Sequence, residues 1–162
     1  MLEPQQLTNS ETQKPTITFL VTGESGRLAR WLRLMGYDAD LQEASPLSQL
    51  YRRAYNERRV VVTRNRRVAA SCLFRVLHLK SNELAEQLRQ LKQELSLDET
   101  QAFSRCDVCN RVLQPVDKAQ VKGRVPAYVL ETQAQLTGCP SCARIYWAAT
   151  HHARACKFLE SL

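Results

Sequence analysis

The sequence predicts an α/β fold, with a three-layer domain built on a parallel sheet and a small module organised by cysteines. Between residues 16 and 98, short apolar runs rich in β-branched residues alternate with amphipathic helical segments, which is typical of parallel sheets covered by helices. Beyond them stand two Cys-x-x-Cys pairs, Cys106 with Cys109 and Cys139 with Cys142. We therefore expect a disordered tail over residues 1–15, an α/β domain over 16–98 and a cysteine module with a closing helix over 99–162.

Four short apolar runs have the composition of buried strands. The predicted strands are residues 16–21, 37–41, 59–63 and 74–79. The third run is nearly all valine, which suits a sheet covered on both faces. Ligands of such sheets bind beyond the carboxyl ends of the strands, and Thr22 and Asn65 lie at that edge.

Helical segments follow the strands, and the first of them separates apolar from basic side chains. The predicted helices are residues 27–35, 46–57, 68–72, 82–95 and 151–159. In the first, a rotation of about 100° per residue places Arg27, Arg30 and Arg33 opposite the apolar face, towards solvent or a ligand. Gly36 is expected to end this helix. In the second, Leu47 is expected on the buried side.

The amino-terminal segment does not have the residue pattern of a signal peptide. Residues 1–14 are polar and have neither a cationic start nor an apolar centre, so a signal peptide is not expected. No run approaches the roughly 18 apolar residues that a membrane span needs. We expect a soluble, cytoplasmic protein without a membrane partner.

The spacing of the cysteine pairs predicts one structural zinc ion. Each pair lies in a turn-like sequence, so that two thiolates can converge from each turn on a tetrahedral metal. The residues between the pairs are expected to form the strands of a ribbon. Two disulfides are the alternative, but cytosolic thiols stay reduced. A redox role is disfavoured because a closed four-sulfur site has no open position. Cys72 and Cys156 are interpreted as small buried apolar residues.

The charge distribution favours a polyanionic partner. The formal net charge is +7, and residues 44–80 hold nine Lys or Arg against one acid, Glu57. Two arginine groups stand out, Arg27, Arg30 and Arg33 on the first helix and Arg64, Arg66 and Arg67 after the valine strand. Such residues can bind successive phosphates of RNA, although a solvated basic face is the alternative. Likewise, Tyr146 and Trp147 can stack on unpaired bases or cover the small core of the ribbon.

The order of these motifs resembles the Mut-seven C-terminal RNase domain family. The resemblance rests on GRLARWLRLMGYDAD at 26–40, RRVVVTRNRRV at 58–68, Gln87-Leu88, FSRCDVCNRVL at 103–113 and CPSCARIYWAATHH at 139–152. It covers nearly everything from about residue 17 to 155. The resemblance implies a PIN-like nuclease fold joined to a zinc ribbon, RNA as the partner and, where the acidic set is complete, cleavage with divalent metal.

The sequence departs from the family pattern where that chemistry is expected. The family has acids where Thr22 and Asn65 stand, and its acidic stretch after the second strand keeps only Glu43. A two-metal site needs several carboxylates to hold Mg²⁺ or Mn²⁺ and activate water. Asp38, Asp40 and Glu24 remain as candidates for a minimal site, so a single weak Mg²⁺ or Mn²⁺ site stays open and a full cluster is not expected.

Three functions follow from these features. The leading hypothesis is a protein that binds single-stranded RNA and whose metal-dependent endoribonuclease activity is weak or lost. The first alternative is an active Mg²⁺- or Mn²⁺-dependent ribonuclease that uses Asp38, Asp40 and Glu24. The second is a protein-interaction module on a ribonucleoprotein, in which the basic face contacts acidic protein.

Overall fold

A parallel four-stranded sheet forms the centre of the molecule. The computed structural model describes residues 17–70, 73–148 and 150–162, without the side chains of Thr150 and His151. The predicted tail and Cys72 lie outside the described residues. The strands are β1 Thr18–Thr22, β2 Asp38–Gln42, β3 Val60–Thr63 and β4 Val76–His78. Their order is β2-β1-β3-β4 and all neighbours are parallel, which confirms the predicted parallel sheet.

Helices cover both faces of this sheet. They are α1 Gly26–Leu34, α2 Leu47–Glu57, α3 Arg66–Ala69 and α4 Leu84–Leu95. The larger core lies on one face, where Phe19, Val21 and Val62 pack with Leu28 of α1 and Leu88 of α4. On the other face, Leu20 and Val61 of the sheet pack with Leu50 of α2 and Val68 of α3. The alternating valines of β3 therefore serve both cores, as a sheet with two covered faces requires.

Two details of the predicted helices are wrong. The third helix begins at Arg66 and not at residue 68, because the Asn65 side chain accepts a hydrogen bond from the Arg67 amide and caps it there. Leu47 is exposed, because α2 begins at this residue and its first turn extends beyond the core. Leu50 and Ala54, one and two turns further on, are buried as expected.

The end of α1 is fixed by a close backbone approach. Gly36 has φ +95°, a conformation that glycine adopts without steric cost. A Cβ atom at this position would lie 2.1 Å from the carbonyl oxygen of Gln101, so no other residue fits. The amide of Phe103 also donates to the Leu34 carbonyl at 2.7 Å. The segment that leads into the cysteine module is therefore held against the end of α1.

The part of the cysteine module that precedes the last helix, residues 103–148, contains a second sheet. Its strands are β5 Gln114–Val116, β6 Leu136–Gly138 and β7 Ile145–Tyr146, all antiparallel in the order β5-β6-β7. The residues between the cysteine pairs were expected to form strands, but they also form a 3₁₀ helix, Lys118–Val121, and α5, Ala127–Thr132. These elements supply Val121 and Val129 to a separate small core. The helices bring apolar side chains that three short strands alone cannot provide.

The last helix, α6 Thr150–Glu160, packs against the α/β core. Leu159 is buried in the larger core, and the Phe158 and Trp31 rings lie 4.5 Å apart between centroids. The sequence assigned this helix to the cysteine module, and His152 does stack on Phe103 there, but Phe158 and Leu159 pack against the α/β core. The carboxyl end of the chain therefore joins the two parts of the molecule.

Candidate metal centre and sheet-edge site

The four cysteines converge as predicted. The sulfur atoms of Cys106, Cys109, Cys139 and Cys142 all lie within 4.8 Å of one another. The Cys106 and Cys142 sulfurs are 3.8 Å apart, far beyond the roughly 2.05 Å of a disulfide bond. For metal–sulfur bonds of about 2.3 Å, the edge of a tetrahedron is also about 3.8 Å. The cluster therefore has the size of a four-thiolate metal site.

Two matching turns create this cluster. After each pair comes a residue in the left-handed region, Asn110 with φ 60° and Ala143 with φ 57°. Each of these residues donates its amide to the carbonyl of the first cysteine of its pair, at 2.9 Å in both turns. The amide of the second cysteine points at the first sulfur, at 3.3 Å for Cys109 to Cys106. Each turn thus aims two sulfurs at one point and neutralises part of their charge.

The electrostatics of the cluster favour a bound cation. Burial raises the pKa of Cys106, but its contact with the Tyr146 hydroxyl and hydrogen bonds from backbone amides lower this pKa to about 7. The neighbouring Cys142 and Cys106 sulfurs raise the pKa of Cys109 to about 12. Without a metal, one thiolate therefore forms at the expense of the next. A divalent ion removes this repulsion, and the donor set of four sulfurs fits such an ion.

The first cysteine turn is docked onto α1. Arg33 was expected to face solvent or a ligand, but its side chain is buried and donates to the carbonyl oxygens of Asp107 at 3.0 Å and Val108 at 2.8 Å. Arg30, one turn earlier, forms an ion pair with the Asp107 carboxylate. The prediction that Arg33 binds phosphate is thus wrong, because its guanidinium donates hydrogen bonds to buried carbonyl groups of the turn.

Asn110 ties the same turn to the edge strand β2. Its side-chain oxygen accepts from the Ala39 amide at 3.2 Å. Its side-chain nitrogen donates to Asp38 at 2.9 Å and Asp40 at 3.0 Å. An edge strand exposes unpaired amides, and here the cysteine turn covers one of them.

The three acids of the predicted minimal site are not brought together. In the parallel register Asp38 lies beside Thr18, at the start of β1, whereas Glu24 follows the end of β1. About four residues of extended strand, roughly 13 Å, separate the two edges. Asp38 instead pairs with Arg59 at 2.6 Å, and Asp40 with Arg53 at 2.7 Å. The sequence placed these acids near one another because it could not show at which end of the sheet each one lies.

Burial raises the pKa of Asp38, but hydrogen bonds from Arg59 and Asn110 hold this pKa below its usual value. Asp38 therefore carries a full negative charge in an ion-pair cluster. The role of this cluster is to join β2, α2 and β3 to the first cysteine turn.

The carboxyl edge of β1 and β3 carries hydroxyl groups around one carboxylate. The Thr22 and Thr63 hydroxyls donate to the same oxygen of Glu24, at 2.5 and 3.1 Å. The Arg64 amide donates to that oxygen at 3.2 Å. Burial raises the pKa of Glu24, but these hydrogen bonds and one from its own amide outweigh burial, so the pKa lies below its usual value. Glu24 is thus ionised and already satisfied on one oxygen.

This edge opens into a cleft of about 590 Å³ between β1, β2 and α2. Thr22, Glu24, Glu43, Thr63 and Asn65 supply polar groups to its lining. The strand order reverses between β1 and β3, which is where parallel α/β sheets bind their ligands. Among the residues that the structure describes, the only acids in its lining are Glu24 and Glu43.

Basic side chains surround the same edge. Arg66 and Arg67 are exposed on α3, directly after β3, and Arg27 is exposed on the first turn of α1, directly after β1. Arg64 is half-buried and hydrogen-bonds Asn82. Because β1 and β3 are parallel neighbours, all four arginines lie at one end of the sheet. Arg30 stands apart from them, since it reaches towards the cysteine turn.

Sequence reasoning missed the residues that join the two parts of the molecule. Asp107 and Asn110 have the pattern of turn residues, and Arg53 and Arg59 count in the sequence only as positive charge. A left-handed position after the second cysteine is a signal for Asn, but its side-chain contacts depend on tertiary structure. The contacts of Asp107, Arg53 and Arg59 have no corresponding pattern in the neighbouring sequence.

These features define an α/β protein with a parallel sheet and a four-cysteine cluster that can hold a metal such as zinc. The family model of the Mut7-C RNAse domain matches residues 17–159. The chain therefore belongs to this family. No curated protein and no solved structure gives a significant match. Within the described part of the chain, no helix is both long and apolar enough to cross a membrane.

Proposed function

We propose that this protein binds RNA through a PIN-like fold with a zinc ribbon, and that its metal-dependent endoribonuclease activity is weak or lost. The supporting observation is the carboxyl edge of β1 and β3. At this edge two threonine hydroxyls surround Glu24, and Asn65 caps α3. The ribonuclease family supplies the substrate class, and the chemistry of the edge argues against catalysis.

The argument against catalysis is electrostatic. Two divalent cations a few ångströms apart repel strongly unless several carboxylates offset their charge. Thr22 and Asn65 contribute none, and Glu24 is engaged by three donors on one oxygen. Mg²⁺ or Mn²⁺ is therefore expected to bind poorly, with Glu24 and Glu43 as the acids nearest the cleft.

RNA binding is proposed for the arginines at this edge. Arg27, Arg66 and Arg67 are exposed and follow the carboxyl ends of two neighbouring strands. Phosphate contacts of this kind fix the backbone of a nucleic acid without reading its sequence. A single strand is favoured, since it can follow an irregular edge. Arg64 stands beside this group, and Arg33 is excluded from it by burial.

The metal is proposed to be zinc. Soft thiolate ligands in a tetrahedral, closed arrangement are typical of structural zinc sites. The supporting observation is that the four sulfurs lie within 4.8 Å of one another. Zinc would hold the two turns together and so support the second sheet of the ribbon. We also propose that the two domains comprise residues 16–98 and 99–162. Helix α6 belongs to the second domain and packs against the core of the first.

An active ribonuclease is the first alternative. It requires Glu24 to act without Asp38, at the opposite edge of the sheet, and without Asp40, in the middle of β2, both of which are held in ion pairs. A protein-interaction module on a ribonucleoprotein is the second alternative. Tyr55 and Leu73 are exposed and line a cleft of about 710 Å³ at the amino end of the sheet, which a protein partner could cover.

A titration with single-stranded RNA at rising salt, run beside a cleavage assay in Mn²⁺, tests the proposal. We expect salt-sensitive binding and little or no cleavage. Binding without salt dependence would remove the phosphate-contact model, and robust cleavage would favour the nuclease. Absence of RNA binding at low salt would leave the protein-interaction function.

A further inference from the structure

A second cleft lies between α1, the cysteine module and α6. Its volume is about 600 Å³, within the range of ligand-binding pockets. Four aromatic side chains contribute to its walls, with Phe103 at the start of the module, Tyr146 and Trp147 after the second cysteine pair, and His152 on α6. It is separate from the cleft at the carboxyl edge of the sheet, and its lining includes neither Thr22 nor Glu24.

The Phe103 and His152 rings form one stacked wall. Their centroids are 3.8 Å apart and their planes are inclined by 34°. Phe103 has φ 62°, which is rare for a bulky residue and costs free energy. A hydrogen bond from its backbone amide to the Leu34 carbonyl holds it in this conformation. The fold therefore tolerates strain that places an aromatic ring, half-exposed, at the mouth of a cleft.

The rings of Tyr146 and Trp147 make contacts within the protein and also line the cleft. The Tyr146 hydroxyl donates to Asp107 at 2.9 Å and contacts the Cys106 sulfur at 3.1 Å, so its ring is held beside the cysteine cluster. Trp147 packs with one side against the small core of the module and lines the cleft as well. Rings that are held in place from behind lose little entropy when a flat ligand stacks on them.

The rim of the cleft carries polar side chains that can bind an anion or a hydrogen-bonding group of a ligand. Arg30 lines it with a side chain that is 60% exposed, although Asp107 binds its Nε and one terminal nitrogen. The second terminal nitrogen of Arg30 has no hydrogen-bond partner among the described residues and can donate to phosphate or to a base edge. Gln135 and Thr137 on the opposite side offer amide and hydroxyl groups.

We infer that this cleft binds an unpaired nucleobase of single-stranded RNA. The inference rests on the proposed RNA binding and adds the place where a base, rather than the backbone, is held. A flat π-system suits stacked aromatic walls, and an attached anion suits Arg30. An apolar peptide could also fill the walls, but it offers no acceptor to the remaining terminal nitrogen of Arg30.

The chain offers a specific reporter for the test. It contains two tryptophans, Trp31 and Trp147. In a Trp31→Phe protein the remaining tryptophan fluorescence comes from Trp147. We expect adenosine and adenosine 5′-monophosphate to quench it with saturation, and ribose 5-phosphate to have no effect. Equal quenching by ribose 5-phosphate, or no quenching by any of the three, would overturn the inference.

Substitutions inside and outside the cleft test where adenosine 5′-monophosphate binds. In the same background, Phe103→Leu should lower the affinity for adenosine 5′-monophosphate by about 5- to 150-fold, the range expected from loss of one stacking partner. Tyr128→Leu removes an exposed aromatic ring on α5 outside the cleft and should leave affinity unchanged. Circular dichroism checks that each variant is folded. Equal affinities of a folded Phe103→Leu protein and its parent would contradict the stacking wall.

The test separates this inference from RNA binding itself. If a single-stranded oligoribonucleotide binds by filter assay and leaves Trp147 fluorescence unchanged, the cleft is not the base site and RNA binding stands. If the mononucleotide quenches and the oligoribonucleotide does not bind, the cleft binds a base and the proposed function fails.

Discussion

Arg33 of α1 donates to the backbone carbonyl of Asp107 at 3.0 Å, inside the first cysteine turn. Arg33 has the sequence position of a residue on a basic helix face, but it hydrogen-bonds the turn that carries the candidate metal centre. It also donates to the Ala39 carbonyl at 2.7 Å. Burial lowers the pKa of Arg33, and the nearby Asp40, Cys106 and Asp107 raise it in partial compensation. These contacts link folding of the α/β domain to the state of the cysteine cluster.

Substitution of Arg33 should therefore affect stability more than RNA binding. Arg33→Met leaves three carbonyl oxygens without their donor, and we expect a loss of about 3 kcal/mol in the free energy of unfolding. Arg27→Met, at an exposed position of the same helix, is the matched control and should change stability by less than about 0.5 kcal/mol. Urea unfolding measures both. An unchanged midpoint for Arg33→Met would show that its carbonyl contacts carry no free energy.

Metal removal should unfold the cysteine module first. We expect about one zinc ion per chain by elemental analysis, because one cluster of four sulfurs is present in the described residues. Cys139→Ser should abolish stoichiometric zinc and release the second sheet. Cys156→Ser, which changes a cysteine outside the cluster, is the control. Protein purified without chelator and found free of zinc would contradict this assignment.

The effect of metal loss should extend into the α/β domain. Arg33, Arg30 and Asn110 bind the first cysteine turn. We therefore expect hydrogen exchange of β2 and α1 to rise on chelation, although the α/β core stays folded. Unchanged protection at Ala39 would show that the turn keeps its position without metal.

The acid stability of the protein should depend on Asp38. Its pKa is lowered in the folded state by Arg59 and Asn110, so its charge stabilises the fold above the ordinary carboxyl pKa of 3.8. This contribution is lost as pH falls through the lower, folded pKa. Asp38→Asn should thus reduce stability at pH 7 and make the decline of stability below about pH 4 less steep.

Urea unfolding at a series of pH values tests this sign. Asp117→Asn is the control, since Asp117 is an exposed acid whose side chain accepts from the Ala119 amide. Parallel pH profiles for wild type and Asp38→Asn would mean that the Asp38 charge does not stabilise the folded state.

The alternation of strands and helices was predictable because it depends on local patterns. The valines of β3 and the helical period of α1 each determine a buried face within a few residues. The cysteine cluster was predictable for a similar reason, since spacing alone defines each turn. The start of the third helix was not predicted correctly. The apolar period suggested a start at residue 68, but the Asn65 cap begins the helix at Arg66.

The partners of charged side chains were not predictable. Arg33 and Arg27 are six residues apart on one helix, yet the first is buried and the second is exposed. What separates them is the position of the cysteine turn, over 70 residues further along the chain. Asp38 and Glu24 were grouped for the same reason, because proximity in sequence does not show which end of a strand a residue occupies.

RNA affinity should depend on the arginines at the carboxyl edge. For single strands, each phosphate contact contributes about 0.7 to the slope of log affinity against log salt concentration. The double substitution of Arg66 and Arg67 by Ala should lower the affinity and reduce this slope by about 1.4. Alanine at Lys122 and Lys157, two exposed lysines elsewhere, removes the same charge and is the control. Equal slopes for the two double variants would place the RNA on another surface.

Restoring carboxylates at the sheet edge should restore metal binding before it restores catalysis. The Thr22 hydroxyl lies 2.5 Å from Glu24, so Thr22→Asp places two carboxylates side by side. Their repulsion raises the pKa of both groups and destabilises the protein until a cation binds between them. Asn65→Asp adds a third acid and keeps the cap of α3, because aspartate is an equally good capping residue.

The double variant Thr22→Asp with Asn65→Asp should therefore gain stability from Mn²⁺, by about 2.7 kcal/mol when Mn²⁺ exceeds the dissociation constant a hundredfold. Wild type and Thr22→Val should gain almost nothing, which thermal unfolding with and without Mn²⁺ will show. Cleavage of single-stranded RNA is the less direct outcome, since the acids missing after β2 are not replaced. The opposite result concerns the unmodified protein. Robust Mn²⁺-dependent cleavage that is lost in Glu24→Gln and kept in Asp38→Asn would assign an active nuclease site to this edge and remove the proposal of lost catalysis.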